Sequence, residues 1–201
     1  MKKSTYDKIR SKLRRAEKAI QDLEESKSFI QDADAWNQFL IAANGIFDVM
    51  DAGLKGHNKG EPWFGDKKHK RKLDPLLQYL HLARNAEEHG LEEVITEEPS
   101  GWWVTGDVVL NGVIGGPSGT NLKVTQIPGG DPIGFGSKRA HAKVVPVRSF
   151  GIEYAVPTSH LGITIEVEHE LIFGVTPLAL ARVAYPYLRV LVVDAERFVK
   201  T

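Results

Sequence analysis

The sequence contains no cysteine among its 201 residues. This absence excludes disulfides, thiolate metal sites and cysteine nucleophiles. Uninterrupted apolar runs are also short, and none approaches the roughly 20 residues that a membrane-spanning helix needs. The start, Met1, Lys2 and Lys3, is basic, but no apolar segment of the kind found in a secretory signal follows it. We therefore expect a soluble cytoplasmic protein that has no membrane partner.

Neither sign of charge is in excess, because 26 Lys and Arg balance 26 Asp and Glu. The charges are nevertheless segregated along the chain. Residues 1–18 hold eight basic side chains against two acidic ones, residues 67–72 are five Lys or Arg and one His, and residues 87–98 hold six glutamates. Separated patches are compatible with nucleic-acid binding at one place and repulsion at another. Each run taken alone is also typical of an ordinary solvated surface.

The N-terminal part of the chain is predicted to be helical. Apolar residues between positions 4 and 27 recur at steps of three and four, which is typical of an amphipathic helix that packs on another helix. A second helix with the same spacing follows, with Asp32 or Asp34 as its N-cap and Gly56 as its stop.

Residues 56–73 are predicted to form a loop, in which Trp63 and Phe64 precede a basic run. Basic residues beside exposed aromatic rings are typical of surfaces that hold single-stranded nucleic acid, through phosphate contacts and base stacking. In the alternative interpretation, Trp63 and Phe64 pack into the helical core and the lysines are solvated. The candidate RNA-binding residues are Lys67, Lys68, Lys70, Arg71 and Lys72.

The third predicted helix begins with Asp74 as its cap and Pro75 at the first helical position, and Gly90 ends it. On this helix His81 and His89 are two turns apart, or about 12 Å. Both cannot bind one metal ion over that distance. We therefore expect no metal site on this helix.

The composition changes at Pro99, from helix-forming to β-forming. Residues 101–136 hold ten of the 19 glycines, with short runs of β type between them. Residues 163–173 begin with the alternation of a half-buried strand. The segments 115–119 and 128–132 are predicted to be turns, because they are rich in glycine and proline. Neither matches a phosphate loop, since no Gly-Lys-Ser/Thr follows.

The last segment is predicted to be a helix that begins at Thr176 and Pro177. Pro186 must kink this helix or end its first part. The apolar stripe of the segment is too strong for an isolated tail, so we expect it to return to the N-terminal helices and complete their bundle. The predicted fold class is α+β, and the predicted domains are a helical bundle, residues 1–98 and 176–201, and a β-rich insertion, residues 99–175.

Residues 74–89, with the sequence DPLLQYLHLARNAEEH, resemble the motif of the HEPN superfamily of helical nucleotide-binding domains. Members carry an arginine, often followed directly by Asn or Asp, and then a histidine after four to six intervening residues. Arg84, Asn85 and His89 fit this pattern with four residues between the arginine and the histidine. The preceding helix is similar to the aromatic- and alanine-rich helix that precedes the motif in bacterial members. The resemblance covers roughly residues 30–90, and the last helix by its pattern only.

The resemblance implies a HEPN-like bundle of three N-terminal helices and a C-terminal helix, which dimerises with its two motifs facing each other. Many members are endoribonucleases of toxin or antiphage systems that use neither a metal nor a cofactor. In them the 2′-hydroxyl of single-stranded RNA attacks the adjacent phosphate. By position, His89 would transfer the proton, Arg84 would stabilise the phosphorane charge, and Asn85 would orient His89 or bind phosphate. The implied partners are single-stranded RNA, a second copy of the chain and an antitoxin.

Two other interpretations fit the same residues. Some HEPN domains bind RNA, a nucleotide or a protein without chemistry, and the β-rich region would then supply specificity. In a structural interpretation, Arg84 pairs with Glu88 one turn later, and His89 suits the negative end of the helix dipole.

The spacing of the motif adds a geometric expectation. Positions 84 and 89 lie about 140° apart around one regular helix, at ~100° per residue. An irregular last turn before Gly90, or a second protomer, is needed to bring Arg84 and His89 to one phosphate. We expect a twofold dimer whose axis passes near residues 84–89, with Glu88 between the two Arg84 side chains in the resting state.

Overall fold

A computed structural model describes residues 1–89, 93–98, 101–105, 108–116, 119–126, 128, 134–138, 141–149, 151–157, 159–164 and 175–199. The described helices are α1 (Lys3–Glu25), α2 (Phe29–Leu54), α3 (Gly60–Leu73), α4 (Pro75–His89), α5 (Pro177–Ala195) and a 3-10 helix (Glu196–Phe198). Together with ten described strands they make the chain α+β, as predicted. Within these residues, no helix is both long and apolar enough to span a bilayer.

Helix α2 is the centre of the helical part. It is buried on several sides, and its fully buried side chains include Trp36, Phe39, Leu40 and Met50. A helix that is apolar on most of its surface is stable only when other elements cover it. The elements that pack on α2 are α1, α3, α4, α5 and strand β6 (His141–Val144). Each large side chain buried there stabilises the fold by roughly 1.5–3 kcal/mol.

The caps of α4 and α5 are confirmed. Asp74 Oδ1 accepts a hydrogen bond from the Leu77 backbone N–H at 2.9 Å, and Thr176 Oγ1 accepts one from the Ala179 N–H at 3.2 Å. Helix α5 continues without a break through Pro186. The missing N–H of this proline therefore does not end the first part of the helix.

The predicted cap of α2 is wrong. Ser28, rather than Asp32 or Asp34, caps the helix, because its Oγ accepts from the Gln31 backbone N–H at 3.3 Å. Helix α2 thereby gains a first turn that the apolar pattern alone does not mark. Asp32 instead accepts from the Ala142 backbone N–H through Oδ2, at 3.1 Å.

The loop predicted at residues 56–73 is also wrong over most of its length, because residues Gly60–Leu73 form α3. His57 Nδ1 accepts from the Gly60 N–H at 3.0 Å where the helix begins. Pro62 lies in the first turn, where a missing N–H costs little. Only Gly60 and Phe64 of α3 are buried. The sequence therefore carries too short an apolar stripe to predict this helix.

The chain divides into two compact units, residues 1–98 with 141–201 and residues 99–140. In the first unit, β1 (Ile95–Glu98) pairs with β6, β7 (Val147–Ser149) with β8 (Ile152–Tyr154), and β9 (Ser159–His160) with β10 (Ile163–Thr164). In the second unit, β2 (Gly101–Thr105) pairs with β5 (Gly134–Lys138), and β3 (Val108–Gly116) pairs with β4 (Gly119–Gln126). All five pairings are antiparallel.

The boundary between the units falls at residue 141, whereas the predicted insertion runs to residue 175. The Val144 N–H donates to the Val175 carbonyl at 2.9 Å, and the Val145 N–H donates to the Val94 carbonyl at 3.2 Å. The Tyr79 hydroxyl of α4 also donates to the Val145 carbonyl, at 2.7 Å. These bonds join residues 144–145, at the end of β6, to α4 and to the segments just before β1 and α5. Most of the strand predicted at residues 163–173 lies outside the described residues.

Candidate functional site

The motif residues Arg84, Asn85 and His89 lie in the last two turns of α4, and Arg84 and Asn85 are half-buried. The side chain of His89 is outside the described residues. The backbone is α-helical through His89, so positions 84 and 89 remain about 140° apart around the helix axis. No irregular turn up to His89 brings the two positions to one spot within a single chain.

Arg84 is held by an acidic residue of its own helix. Its Nη1 lies 2.5 Å from Glu88 Oε2, as the structural interpretation of the motif expects. The Arg84 side chain is 20% exposed, whereas that of Glu88 is 53% exposed. Ion pairs with an exposed member contribute only about 0–1 kcal/mol. Phosphate oxygens would therefore displace Glu88 from Arg84 at little cost in stability.

A second carboxyl group, that of Glu87, lies next to Glu88 in the sequence. Burial raises the pKa of Glu87 above its ordinary value of 4.5. Glu87 therefore gives up its negative charge at a higher pH than an exposed glutamate does. Mild acid thus weakens the repulsion that the motif would exert on an RNA backbone.

Part of the basic run is paired with acidic side chains. Lys68 Nζ lies 2.5 Å from Asp51 Oδ1, and Lys70 Nζ lies 3.2 Å from Asp66 Oδ2. Lys72 is exposed. Two of the five candidate RNA-binding residues therefore already have acidic partners.

The aromatic residues of α3 are turned towards the core. Phe64 is 1% exposed, which confirms the interpretation in which it packs into the helices. Trp63 is half-buried, 5.1 Å from the ring of Phe198. Lys67 Nζ lies 5.7 Å and the Arg197 guanidinium 5.3 Å from the Trp63 ring centroid. Cations already occupy the surroundings of this ring, so stacking of a base on it would have to displace one of them.

Lys72, the last residue of the basic run, is separated from the motif along α4. Lys72 lies just before Pro75, at the beginning of α4. Arg84 lies nine residues further along that helix, which is about 14 Å at ~1.5 Å per residue.

Sequence reasoning missed a polar cluster where α2 meets α4. Asn44 is 8% exposed, and its Nδ2 donates to the carbonyls of Leu40 and Leu80, both at 3.2 Å. Its Oδ1 lies 3.0 Å from His81 Nδ1. Because an amide oxygen only accepts, Nδ1 of His81 carries the proton and Nε2 is the acceptor of the neutral ring. The available signal was one asparagine within the apolar face of α2.

The protonation of His81 is set by its surroundings. Burial lowers the pKa of His81 below its ordinary value of 6.5. The positive charges of Arg71 and Lys72 lower this pKa as well, while Asp48 opposes them. His81 is therefore neutral at pH 7, and its Nδ1–H donates to Asn44 Oδ1.

Stability is expected to fall in mild acid because of His81. Since its pKa is lower in the folded state, the unfolded state binds more protons as the pH falls below 6.5. The contribution of neutral His81 is present above this pH and is lost as the pH falls towards the lowered value. Between about pH 7.5 and 5.5, the urea midpoint should fall more in the wild type than in His81→Gln. His69→Gln, at an exposed position of α3, should show the same fall of the urea midpoint with pH as the wild type. If His81→Gln also showed the wild-type fall, this account would be contradicted.

A second buried pair joins α4 to the β9–β10 hairpin. Asp74 Oδ1 lies 3.0 Å from His160 Nδ1, and the two side chains are 4% and 11% exposed. Asp74 Oδ2 also accepts from the Leu161 backbone N–H. One carboxylate therefore caps α4 and fastens the hairpin to the beginning of that helix.

The candidate residues of this chain thus fall into the motif of α4, the basic run of α3 and the cluster around Asn44. Within the described part of the chain, no three His, Asp or Glu side chains form a group that could hold a metal ion. No protein-family model matches the sequence, and no curated protein or solved structure matches it significantly.

Proposed function

We propose that this chain is a HEPN-like protein that cleaves single-stranded RNA as a homodimer, without a metal ion. Each site would combine Arg84 and Asn85 of one protomer with His89 of the partner subunit. The observation that carries the proposal is the regular course of α4 through His89, with Arg84 held in place near its end. A twofold axis near this end of α4 would bring Arg84 of one protomer and His89 of the partner subunit to one phosphate.

The chemistry would need one proton carrier and one fixed cation. His89 would take the proton of the RNA 2′-hydroxyl as that oxygen attacks the adjacent phosphorus. Arg84 would exchange Glu88 for the phosphorane oxygens, whose added charge its guanidinium stabilises. The bond to the 5′-oxygen then breaks, and this oxygen takes the proton back from His89. The expected products end in a 2′,3′-cyclic phosphate and a 5′-hydroxyl.

In this proposal the chain acts in a toxin or antiphage system. A free RNase of this kind would damage the RNA of its own cell, so an antitoxin would have to cover the motif. The Arg84–Glu88 pair supports a resting state in which the arginine is neutralised until RNA or another anion arrives.

The second candidate function is RNA binding without cleavage. The observation that favours it is the same ion pair, which gives Arg84 a partner within its own chain. The acidic partners of Lys68 and Lys70 also favour binding without cleavage, because they reduce the positive charge available to a substrate. In this case the motif would hold a phosphate and the unit of residues 99–140 would add specificity.

Incubation of the purified protein with end-labelled single-stranded RNA separates these functions. Cleavage by the wild type should persist with a chelator and fall at least about 100-fold in His89→Ala. His69→Ala should cleave as the wild type does. Cleavage that is equally strong in His89→Ala would contradict the proposal. Binding that weakens with salt, without any product, would establish the second candidate instead.

A further inference from the structure

A groove runs between α1 and α5. The two helices are antiparallel, because Arg182 in the first half of α5 lies 2.9 Å from Glu24 near the end of α1. At the opposite end, the Met1 amine donates to the Phe198 carbonyl at 2.7 Å. The groove has a volume of about 440 Å³. This volume lies within the roughly 300–1,000 Å³ that is typical of small-molecule sites, so the groove has room for an organic ligand.

Three arginines line the middle of this groove. Arg10 and Arg14 lie one turn apart on α1, and Arg189 lines the same groove from α5. In the part of the chain that the structure describes, none of the three has a carboxylate within ion-pair distance, whereas Arg84 and Arg182 each have one. Three like charges in one groove repel one another. The groove therefore favours an anion that lies between them.

The kind of cation in the groove narrows the choice of anion. Every basic residue that lines the groove is an arginine, although α1 also carries four lysines. A guanidinium presents a planar fork of donors that binds two oxygens of a phosphate or a carboxylate at once, whereas an ammonium group acts as a point charge. The groove is therefore suited to an oxyanion rather than to a monatomic anion.

Apolar side chains complete the wall of the groove beside the arginines. Leu13 of α1 and Val192 and Val193 of α5 line it, and Val193 is 58% exposed. Covering exposed apolar surface is favourable by about 25 cal/mol per Å². A ligand that carries an apolar or aromatic body next to its acidic group therefore fits this wall better than a bare anion does.

Each end of the groove carries a tyrosine and a glutamate from opposite helices. Tyr6 and Glu196 lie at one end, and Tyr185 and Glu17 lie at the other. Burial raises the pKa of both tyrosines, and the glutamate at the same end adds to this, so both hydroxyls stay protonated at neutral pH. Tyr6 and Glu17 are about 16 Å apart along α1, at ~1.5 Å per residue. Because the two carboxylates repel an anion, its acidic group belongs in the middle, with the arginines.

We propose that the groove between α1 and α5 binds a phosphate monoester whose phosphate is carried on a ring or another apolar body. Such a phosphate has roughly two negative charges near neutral pH, so it compensates the three arginines better than a single carboxylate does. Its apolar body covers Leu13 and Val193. The site lies on other helices than the α4 motif and the basic run of α3, and it does not depend on RNA cleavage.

The test is a calorimetric titration of the full chain with phenyl phosphate at about pH 7.5, where a phosphate monoester is mostly a dianion. The wild type should bind this probe saturably. Inorganic phosphate lacks the apolar body, and phenylacetate has the ring with only one charge. Both should bind at least about tenfold more weakly than phenyl phosphate does.

The matched variants are Arg14→Gln and Arg15→Gln. Both arginines are exposed on α1, but only Arg14 lines the groove. Arg14→Gln should weaken the binding of phenyl phosphate at least about tenfold, because it removes a charged fork of donors, and Arg15→Gln should leave the affinity unchanged. Arg189→Gln should repeat the loss from α5, as expected for a ligand held between the two helices. Since all three positions are exposed, the variants should unfold at the wild-type temperature.

Three results would overturn the proposal. They are no saturable binding of phenyl phosphate, equal losses in Arg14→Gln and Arg15→Gln, and inorganic phosphate that binds as tightly as phenyl phosphate. A peptide with one phosphotyrosine carries the same chemistry and identifies the source of the ester. Tighter binding of the peptide than of phenyl phosphate indicates a phosphorylated protein side chain, and weaker binding indicates a free small ester.

Discussion

Replacing Asp74 by alanine is expected to lower the free energy of unfolding by about 3–5 kcal/mol. The carboxylate is nearly fully buried and holds three partners, which are the Leu77 N–H, the Leu161 N–H and His160. Its removal uncaps α4 and leaves buried donors without an acceptor. The loss should appear as a lower urea midpoint with little change in the slope of the transition.

Asp51→Ala is the matched control, since it also removes an aspartate that is paired with a cation. The pair with Lys68 is exposed on both sides, so the expected loss is below about 1 kcal/mol. If Asp74→Ala does not fold, Asp74→Asn should still be measurably less stable than Asp51→Ala. If the variants at Asp74 and at Asp51 lost similar amounts of stability, Asp74 would not be the residue that holds the hairpin on α4.

Replacing Arg84 by alanine is expected to lower the rate of RNA cleavage by about 100- to 1000-fold. The guanidinium is the group in this helix end that can donate to two phosphorane oxygens at once. Arg84→Lys keeps the charge but loses the fork, so its rate should also fall well below that of the wild type. The measurement is a single-turnover cleavage rate on a labelled single-stranded RNA.

Glu88→Gln provides the control for this prediction. It releases Arg84 from its counter-ion and should bind RNA more tightly than the wild type does, because Arg84 no longer has to leave Glu88. The folded state should lose less than about 1 kcal/mol. A cleavage rate that does not change in Arg84→Ala would remove Arg84 from the mechanism.

The elements that were predicted correctly carry strong local signals. Asp74 and Pro75 mark the beginning of α4, and Thr176 and Pro177 mark that of α5, because a cap and a proline act within one turn. Helix α3 was missed because its stability comes from burial of Phe64 and from contacts of His57, and neither produces a repeating apolar pattern.

The candidate functional residues also differ in how readily the sequence reveals them. The motif of Arg84, Asn85 and His89 is visible because its residues are close in sequence. The cluster of Asn44 and His81 is not, since these residues are 37 positions apart and meet only when α2 packs on α4. The contact of the Arg71 guanidinium with the Phe47 ring was likewise hidden, because a run of basic residues gives no sign of which one packs on an aromatic ring.

The measurement that tests the central claim most directly is complementation between two inactive variants. Arg84→Ala and His89→Ala are purified, mixed under conditions that exchange subunits, and assayed on single-stranded RNA. In a composite site, about half of the dimers are mixed, and each mixed dimer carries one complete site of two. The account predicts that the mixture recovers about one quarter of wild-type cleavage, while each variant alone stays inactive. A mixture that exchanges subunits and remains inactive would contradict it.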